Sequence, residues 1–503
     1  MIMPMLLSQL IPGVALKSDI VVSGLTDDSR RVQKGDLYLA TPGQKHDGRD
    51  FVEQVLETAA AAVCEAPFAT ERDNVVVLDD LSARKGHIAS RFWREPSARL
   101  LVVGITGTNG KTSCGHFIAQ ALTALGQKCG MIGTLGWGFG TGLQEAGLTT
   151  PSALDLQRQL AALCEQGAAA VSIETSSHGL VQGRLNGTQI NVALFTNISR
   201  DHLDYHETFA EYRAAKQKLF TWPGLQAAVI NVDDEFGRHL RDLLGSELQV
   251  ISYSVVDAGA TVSCGDVRYS SAGFETQVQT PWGSGLLQSS LLGEFNVSNV
   301  LAVISVLGLL GHDFADVLRM AGQLTNVRGR MDALAAPGQP LAVIDYAHTP
   351  DALAKALDAL RVNCQGQLWC VFGCGGDRDK GKRPEMGRVA TGRADHTIVT
   401  DDNPRTEMSA AIIADILQGT TADAQLEVEP DRRRAVALAL SQARAGDIVL
   451  IAGKGHEDYQ EIMGQRFHYS DYDQVEQFFN EHKSDELAVH AADRSADKGG
   501  NWS

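Results

Sequence analysis

The chain alternates short apolar runs with longer stretches in which apolar residues recur every three or four positions, and the runs end in polar or glycine-rich clusters. Parallel strands joined by amphipathic helices produce that alternation. Leu100–Val103 is the clearest run and predicts a buried strand, followed by a glycine-rich turn from Gly104 to Gly110. Phe117, Ile118, Ala121, Leu122 and Leu125 then fall at helical spacing, and Gly126 marks the stop. Further strands are predicted at Ala170–Glu174, Val192–Thr196 and Ala228–Asn231, and a second set at Leu341–Ile344, Leu368–Phe372, Thr397–Thr400 and Ile448–Ala452. Helical stretches near 351–361, 408–418 and 431–444 separate the second set. Residues 261–292 alternate as antiparallel strands do, ahead of a helix from about Asn296 to Gly311. Nearer the N-terminus, Asp36–Ala40 and Val75–Leu78 read as strands, with a helix through Phe51, Val52, Val55 and Leu56.

These sets divide the 503 residues into three α/β domains, about 1–97, 98–330 and 331–485, with a small polar tail at 486–503 expected to be disordered. A hydrophobic content of 44% and a charged content of 21% are those of a soluble globular protein. The net charge of −17 argues against a nucleic-acid partner. The basic clusters Arg378–Arg383 and Arg432–Arg434 are short, and the second reads as a solvated helix face. No apolar run approaches the ~20 residues of a membrane span. The apolar start, MIMPMLLSQLIPGVAL, lacks a basic leader region and predicts a first helix packed on the N-terminal domain. The eight cysteines are scattered, which fits a reduced, cytoplasmic setting without a cysteine metal site.

The turn Gly107–Ser113 carries the first candidate chemistry. Glycines let backbone N–H groups approach phosphate oxygens, and the helix N-terminus adds its partial positive charge. Lys111 would reach the β- and γ-phosphates of a nucleoside triphosphate, and Thr112 would hold Mg²⁺. The spacing departs from G-x-x-x-x-G-K-[ST]: that pattern needs glycine at 105, where this chain has Ile105, and Gly104 falls one place early. Polar strand ends, Glu174–His178, Asn197–Asp204 and Asn231–Asp234, would gather around this loop, since ligands of open α/β sheets sit beyond the carboxyl ends of strands. Glu174 is the candidate Mg²⁺ carboxylate, and His202 and Asp204 could join it. Lys216, in the helical stretch Ala210–Phe220, reads from spacing as a solvated lysine. Arg330, Asp345 and His348 fall where the second and third domains meet, and an arginine there could clamp a γ-phosphate or equally form a structural ion pair.

In the third domain Arg378 stands in GGDRDKGK, Arg405 ends Asp402-Asn403-Pro404-Arg405, and Glu457 ends Gly453-Lys454-Gly455-His456-Glu457. All three follow predicted strands. Guanidinium suits a carboxylate and glutamate suits an ammonium group, a pairing that describes an amino acid. Three surface loops with ion pairs are the alternative reading.

Taken in order, GTNGKTS (107–113), ETSSHGLVQGR (174–184), TNISRDHLDYH (196–206), AAKQKLF (214–220), GEFNVSN (293–299), DYAHTPD (345–351), GCGGDRDKGKRP (373–384), DDNPRTE (401–407) and AGKGHEDYQ (452–460) resemble the Mur ligases, and among them the branch that adds meso-diaminopimelate. GT-x-GKT is that family's form of the phosphate loop. The resemblance spans about 1–480 and implies a UDP-binding N-terminal domain, a central P-loop-type domain with helices on both faces of a mostly parallel sheet, and a Rossmann-like C-terminal domain. It also implies an ATP-dependent amide-bond ligase, working through an acyl phosphate on UDP-N-acetylmuramoyl-L-alanyl-D-glutamate, as a monomer with small-molecule substrates only. By this resemblance Asp27, Ser29, Gln44, Lys45 and His46 hold the UDP part, and Thr149, Thr150, Ser176, Gln182 and Arg184 the muramoyl-peptide. Gly107, Thr108, Asn109, Gly110, Lys111, Thr112 and Ser113 hold the ATP phosphates, with Asn296, Arg330 and Asp345 near the nucleotide. Thr112, Glu174 and His202 would hold Mg²⁺, and Lys216 would be carbamylated to support a second Mg²⁺. Arg378, Asp402, Asn403, Pro404, Arg405, Gly453 and Glu457 form the amino-acid pocket, with Asn403-Pro404-Arg405 the form found with diaminopimelate rather than lysine. Folylpolyglutamate synthase has a similar loop but is not expected to carry DNPR or GKGHE. A regulatory nucleotide binder would have no need of Arg405.

Overall fold

The computed structural model describes residues 4–482 except 44–45, 146, 200–202 and 246–247. The Gln44, Lys45 and His202 assignments, the Asp204 side chain and the polar tail therefore lie outside the described residues. Three α/β sheets carry the fold. The first is parallel and runs Gly24–Thr26, Asp36–Ala40, Ala61–Glu65, Val75–Leu78 in spatial order. Helix Leu81–Phe92 covers it, burying Leu81, Ile88, Ala89 and Phe92. The expected first helix is instead a short strand, Met5–Leu6, and a single turn, Leu7–Leu10. Pro12-Gly13 stops it there, since proline disfavours a helical residue before it. Leu7, Leu10 and Ile11 still pack into the N-terminal core.

In the central sheet the strand Leu101–Thr106 lies between Ala170–Glu174 and Val192–Phe195, all parallel. Register pairs Glu174 with Ile105 and Phe195 with Thr106, so both neighbouring strands end beside the start of the phosphate loop. Ala227–Asn231 and Gln249–Ser254 extend the sheet on one side, and Cys129–Gly133 on the other. These strands are mostly apolar, with polar residues concentrated at their ends, because helices cover both faces of a parallel sheet. The alternating stretch forms Val262–Cys264, Arg268–Ser270, Gly273–Thr280 and Gly283–Ser289. The helix after it runs Glu294–Leu309.

The third sheet has the order Asp332–Leu334, Leu341–Asp345, Ile448–Ala452, Leu368–Phe372, His396–Val399, Gln425–Val428, with only the first strand antiparallel. A hairpin, Tyr459–Ile462 with Gln465–His468, follows the last central strand. Arg432 is not on a solvated face, as its sequence neighbourhood predicts. It is 1% exposed, its Nε and Nη2 bond the buried Asp471 at 2.9 and 2.8 Å, and Nη2 also reaches the Ala452 carbonyl at 3.0 Å. The partner Asp471 is 39 residues away, which no helical periodicity reveals.

The chain divides into two compact units, residues up to 265 with 278–285 and 298–321, and 266–277, 286–297 and 322 onward. The first unit therefore holds both the N-terminal and most of the central sheet. Among the described residues no helix is long and apolar enough to cross a membrane. All eight cysteines are free thiols.

Candidate active site

The phosphate loop needs its glycine. Gly107 has φ +154, and a Cβ there would meet Thr196 Oγ1 at 1.9 Å. Thr108 N donates to the Asn197 carbonyl at 2.8 Å and Asn109 N to Asn197 Oδ1 at 3.0 Å, so the TNIS strand end shapes the loop. Helix Lys111–Ala124 starts directly after Gly110 and presents its N-terminus there. Lys111 Nζ donates to the carbonyls of Gly107 and Thr108, both at 2.9 Å, folding back over the loop.

Glu174 is 2% exposed. Its Oε2 accepts from Thr112 Oγ1 at 3.0 Å and Thr134 Oγ1 at 3.1 Å, and its Oε1 from Thr134 N at 3.0 Å. Gly133 leaves room for it, since a Cβ there would lie 2.1 Å from Oε1. Burial raises its pKa, against the pull of Lys111 and of these hydrogen bonds. A buried carboxylate beside a threonine hydroxyl and a phosphate loop fits Mg²⁺, which takes one or two carboxylates and fills its sphere with water and phosphate. Among the described residues no group of three or more His, Cys, Asp or Glu is placed to hold a metal alone. Thr134, a second anchor of Glu174, has no signal in sequence.

Lys216 is not solvated: it is 1% exposed. Helix Phe209–Gln217, capped by Thr208, turns this residue onto the phosphate loop. Its Nζ donates to the Gly107 carbonyl at 2.8 Å and lies 4.4 Å from the Tyr212 ring centre. Tyr212 itself meets Thr108 Oγ1 at 3.1 Å through its hydroxyl.

The muramoyl-peptide candidates gather near the end of the strand Ala170–Glu174. Thr150 Oγ1 donates to the Glu174 carbonyl at 2.7 Å and meets Ser176 Oγ at 2.9 Å, while Thr149 and Thr134 hydroxyls are 3.0 Å apart. Arg184 donates to the Thr150 carbonyl at 2.8 Å and, through Nε and Nη2, to Gln182 Oε1 at 2.9 and 2.6 Å. Asp27, Ser29 and His46 line a separate cavity of about 600 Å³ in the N-terminal part, with Tyr38 and Lys85. Lys85 Nζ, 3.1 Å from Asp27, is the cation there that sequence reading missed.

The remaining candidates belong to the second unit. Asn296 is fully buried and its Nδ2 donates to the Leu292 carbonyl at 2.8 Å. Asp345 ends its strand, accepts from Met331 N at 2.8 Å and Ala347 N at 3.0 Å, and has its pKa raised by burial. Arg330 lies with its guanidinium carbon 5.0 Å from the Tyr346 ring centre.

The three candidate amino-acid loops converge within this unit. Arg405 Nη1 donates to the Gly376 carbonyl at 2.8 Å, and its Nε stands 3.5 Å from Glu461 of the hairpin. A Cβ on Gly375 would lie 2.8 Å from Arg405 Nη1 and 3.7 Å from Arg378 Cγ, so both arginines border that glycine. Asn403 Nδ2 donates to Glu457 Oε2 at 3.0 Å. Pro404 is buried, and Gly453 N donates to the Asp345 carbonyl at 3.0 Å. Three residues not foreseen hold the loops: Arg383, Lys454 and Glu461.

Comparison with known families matches residues 21–92 to the Mur ligase family catalytic domain, 105–307 to the Mur ligase middle domain and 329–455 to the Mur ligase glutamate ligase domain. The chain belongs to the Mur ligases. Among other Mur ligases, the UDP-N-acetylmuramoyl-L-alanyl-D-glutamate–2,6-diaminopimelate ligase of Pseudomonas aeruginosa is 50% identical over 481 residues, covering 94% of this chain and 98% of that protein. A solved structure of a ligase of that same name superposes with TM-score 0.79 at 37% identity, over 96% of this chain and all 100% of the other. A folylpolyglutamate synthase from Mycobacterium tuberculosis, complexed with ADP and AMPPCP, shares the fold alone, with TM-score 0.55 at 19% identity over 74% of this chain and 92% of that one.

Proposed function

We propose that this Mur ligase joins meso-diaminopimelate to the D-glutamate side-chain carboxylate of UDP-N-acetylmuramoyl-L-alanyl-D-glutamate, converting ATP to ADP and phosphate, in peptidoglycan precursor synthesis. The observation that carries the reading is the 50% identity to the Pseudomonas aeruginosa ligase across 94% of the chain. We keep 1–97, 98–330 and 331–485 as the UDP, ATP and amino-acid segments, and read the enzyme as a cytoplasmic monomer.

A carboxylate is a poor electrophile until one of its oxygens becomes a phosphate leaving group. The D-glutamate carboxylate attacks the γ-phosphorus, ADP departs, and the amine of diaminopimelate then attacks the acyl carbon. The tetrahedral adduct expels phosphate and loses a proton, leaving the amide. Gly107–Ser113 cradle the ATP phosphates, and Lys111 leaves its own loop carbonyls to meet the β- and γ-phosphates. Thr112, Glu174 and His202 would hold Mg²⁺, which when bound supplies charge neutralisation at the transferring phosphoryl group. Asn296, Arg330 and Asp345 are assigned to the nucleotide. Lys216, carbamylated by CO₂, would exchange a cation for a carboxylate-like group beside Gly107, suited to a second Mg²⁺. Thr149, Thr150, Ser176, Gln182 and Arg184 would orient the dipeptide beside Glu174, with the UDP part at Asp27, Ser29, Gln44, Lys45 and His46. Arg378 and Arg405 would take a carboxylate of diaminopimelate and Glu457 its ammonium group, framed by Asp402, Asn403, Pro404 and Gly453. Most of the rate would come from position and electrostatics.

The test is ADP release by the purified protein with ATP, Mg²⁺ and the UDP-dipeptide, adding meso-diaminopimelate or L-lysine in parallel. Release with diaminopimelate only, with the tripeptide product, supports the reading. Release with lysine keeps the ligase and discards the role of Arg405. Stimulation by neither leaves a regulatory nucleotide binder.

A further inference from the structure

We infer that Lys454 is the positioning residue of the amino-acid pocket, and that the placement it gives Asn403 and Glu457 makes the pocket prefer a ligand whose distal carbon carries an ammonium group. The inference rests on the reading of these loops as the diaminopimelate site. Lys454 directly follows Gly453 beyond strand Ile448–Ala452 and is 0% exposed. Its Nζ donates to Asn403 Oδ1 at 3.0 Å and to the Tyr459 carbonyl at 2.8 Å. The same nitrogen stands 3.3 Å from Asp402 Oδ1 and 3.7 Å from Glu457 Oε2. Asn403 completes the set, accepting from Glu461 N at 2.9 Å on Oδ1 while its Nδ2 holds Glu457 at 3.0 Å. One interior ammonium thus ties together the loop after His396–Val399, the loop after Ile448–Ala452 and the strand Tyr459–Ile462.

Charge makes the arrangement selective. Asp402 Oδ1 is buried and makes no hydrogen bond, so it depends on the Lys454 charge for compensation. The other cations are committed elsewhere: Arg405 to Gly376 and Glu461, while Arg378 reaches solvent. The pocket thus offers both signs, Arg405 and Arg378 for a carboxylate and Glu457, held by Asn403 and beside Lys454, for an ammonium group. A distal centre that is itself a zwitterion meets a partner for each of its charges. A ligand with only the carboxylate or only the ammonium leaves one protein charge uncompensated. Lys454 does not need to touch the ligand to set this preference: it fixes where the Glu457 carboxylate points.

The experiment is steady-state kinetics of wild type, Lys454→Met and Lys454→Arg with meso-diaminopimelate and with 2-aminopimelate, which lacks the distal ammonium. Wild type is expected to favour diaminopimelate. Lys454→Met should raise KM for diaminopimelate by roughly 10- to 100-fold, the usual scale for losing a group that orients a binding residue, while kcat and the KM for ATP change less than about threefold. The ratio of the two substrates' kcat/KM should fall toward one. A variant that folds and keeps the wild-type ratio overturns the inference. If Lys454→Met does not fold, Lys454→Arg keeps the interior charge but moves its donors: lost discrimination with a near-native melting temperature supports the inference, and retained discrimination overturns it. Wild type without any preference for diaminopimelate overturns the reading of the pocket itself, and the inference with it.

Discussion

Replacing Arg383 by methionine tests how the amino-acid loops are held. Arg383 begins helix Lys382–Arg393 one residue in and is 0% exposed. Its Nη1 donates to Glu407 Oε2 at 3.0 Å and Asp415 Oδ2 at 2.9 Å, and its Nη2 to Glu407 Oε1 at 2.8 Å and the Gly375 carbonyl at 3.3 Å. Glu407 in turn accepts from Asp377 N at 2.7 Å, next to Arg378. Breaking a fully buried ion pair costs about 3–5 kcal/mol. Here the carboxylates are 16% and 32% exposed, and Glu407 keeps Lys380 at 3.3 Å, so part of the loss is recovered by water and by that lysine. The expected destabilisation in urea unfolding is therefore about 2–3 kcal/mol. Lys380→Met, which removes a 67% exposed partner, should stay within about 0.5 kcal/mol. The pH dependence carries a sign. Hydrogen bonds from Arg383 hold Glu407 down to about 2, so this contribution is complete above the ordinary glutamate value and is lost as pH falls through about 2. The gap between wild type and Arg383→Met should be flat near neutrality and shrink below about pH 4. Equal stability of the two proteins, or a gap that widens in acid, would refute the reasoning.

Other expectations follow from the same geometry. Lys111→Ala should lower kcat by about 10³-fold or more while calorimetry still detects diaminopimelate binding, because its hydrogen bonds to Gly107 and Thr108 and its charge near Glu174 serve the phosphate loop. Glu174→Gln should abolish turnover yet melt higher at pH 7–8. Burial raises the Glu174 pKa, so this group favours the folded state fully below the ordinary glutamate value and loses that contribution as pH rises through the folded value. The difference in melting temperature should vanish toward about pH 4. Arg405→Ala should weaken use of diaminopimelate by about 10- to 100-fold, the price of an unpaired carboxylate, with lysine use unchanged in parallel kinetics.

Much of the fold was legible because parallel strands buried on both faces read as unbroken apolar runs. Asp36–Ala40, Val75–Leu78, Ala170–Glu174, Leu368–Phe372 and Ile448–Ala452 occur where the pattern places them. Cys129–Gly133 escaped notice because two of its five residues are glycine. Gln425–Val428 did so because it is an edge strand with polar side chains and little burial. The first helix was read from composition, and Pro12 limits it to one turn. Within the site, loop chemistry at strand ends pointed to Glu174, Arg405 and Glu457, but local spacing says nothing about what a distant element covers. Lys216 and Arg432 looked solvated for that reason, and their partners, Gly107 and Asp471, lie 109 and 39 residues away. Lys454 and Arg383 were hidden inside motifs as surface-type residues, although each is fully buried among carboxylates from other loops.

In the proposed reaction the phosphate loop activates a carboxylate that the amino-acid pocket then supplies with an amine. Labelling both side-chain carboxylate oxygens of the D-glutamate in the UDP-dipeptide with oxygen-18 tests it directly. Mass spectrometry of a complete reaction with ATP and meso-diaminopimelate should find one labelled oxygen in each released phosphate and one retained in the new amide. Unlabelled phosphate, with both labels still on the carboxylate, would mean that ATP is hydrolysed by water and that the account is wrong.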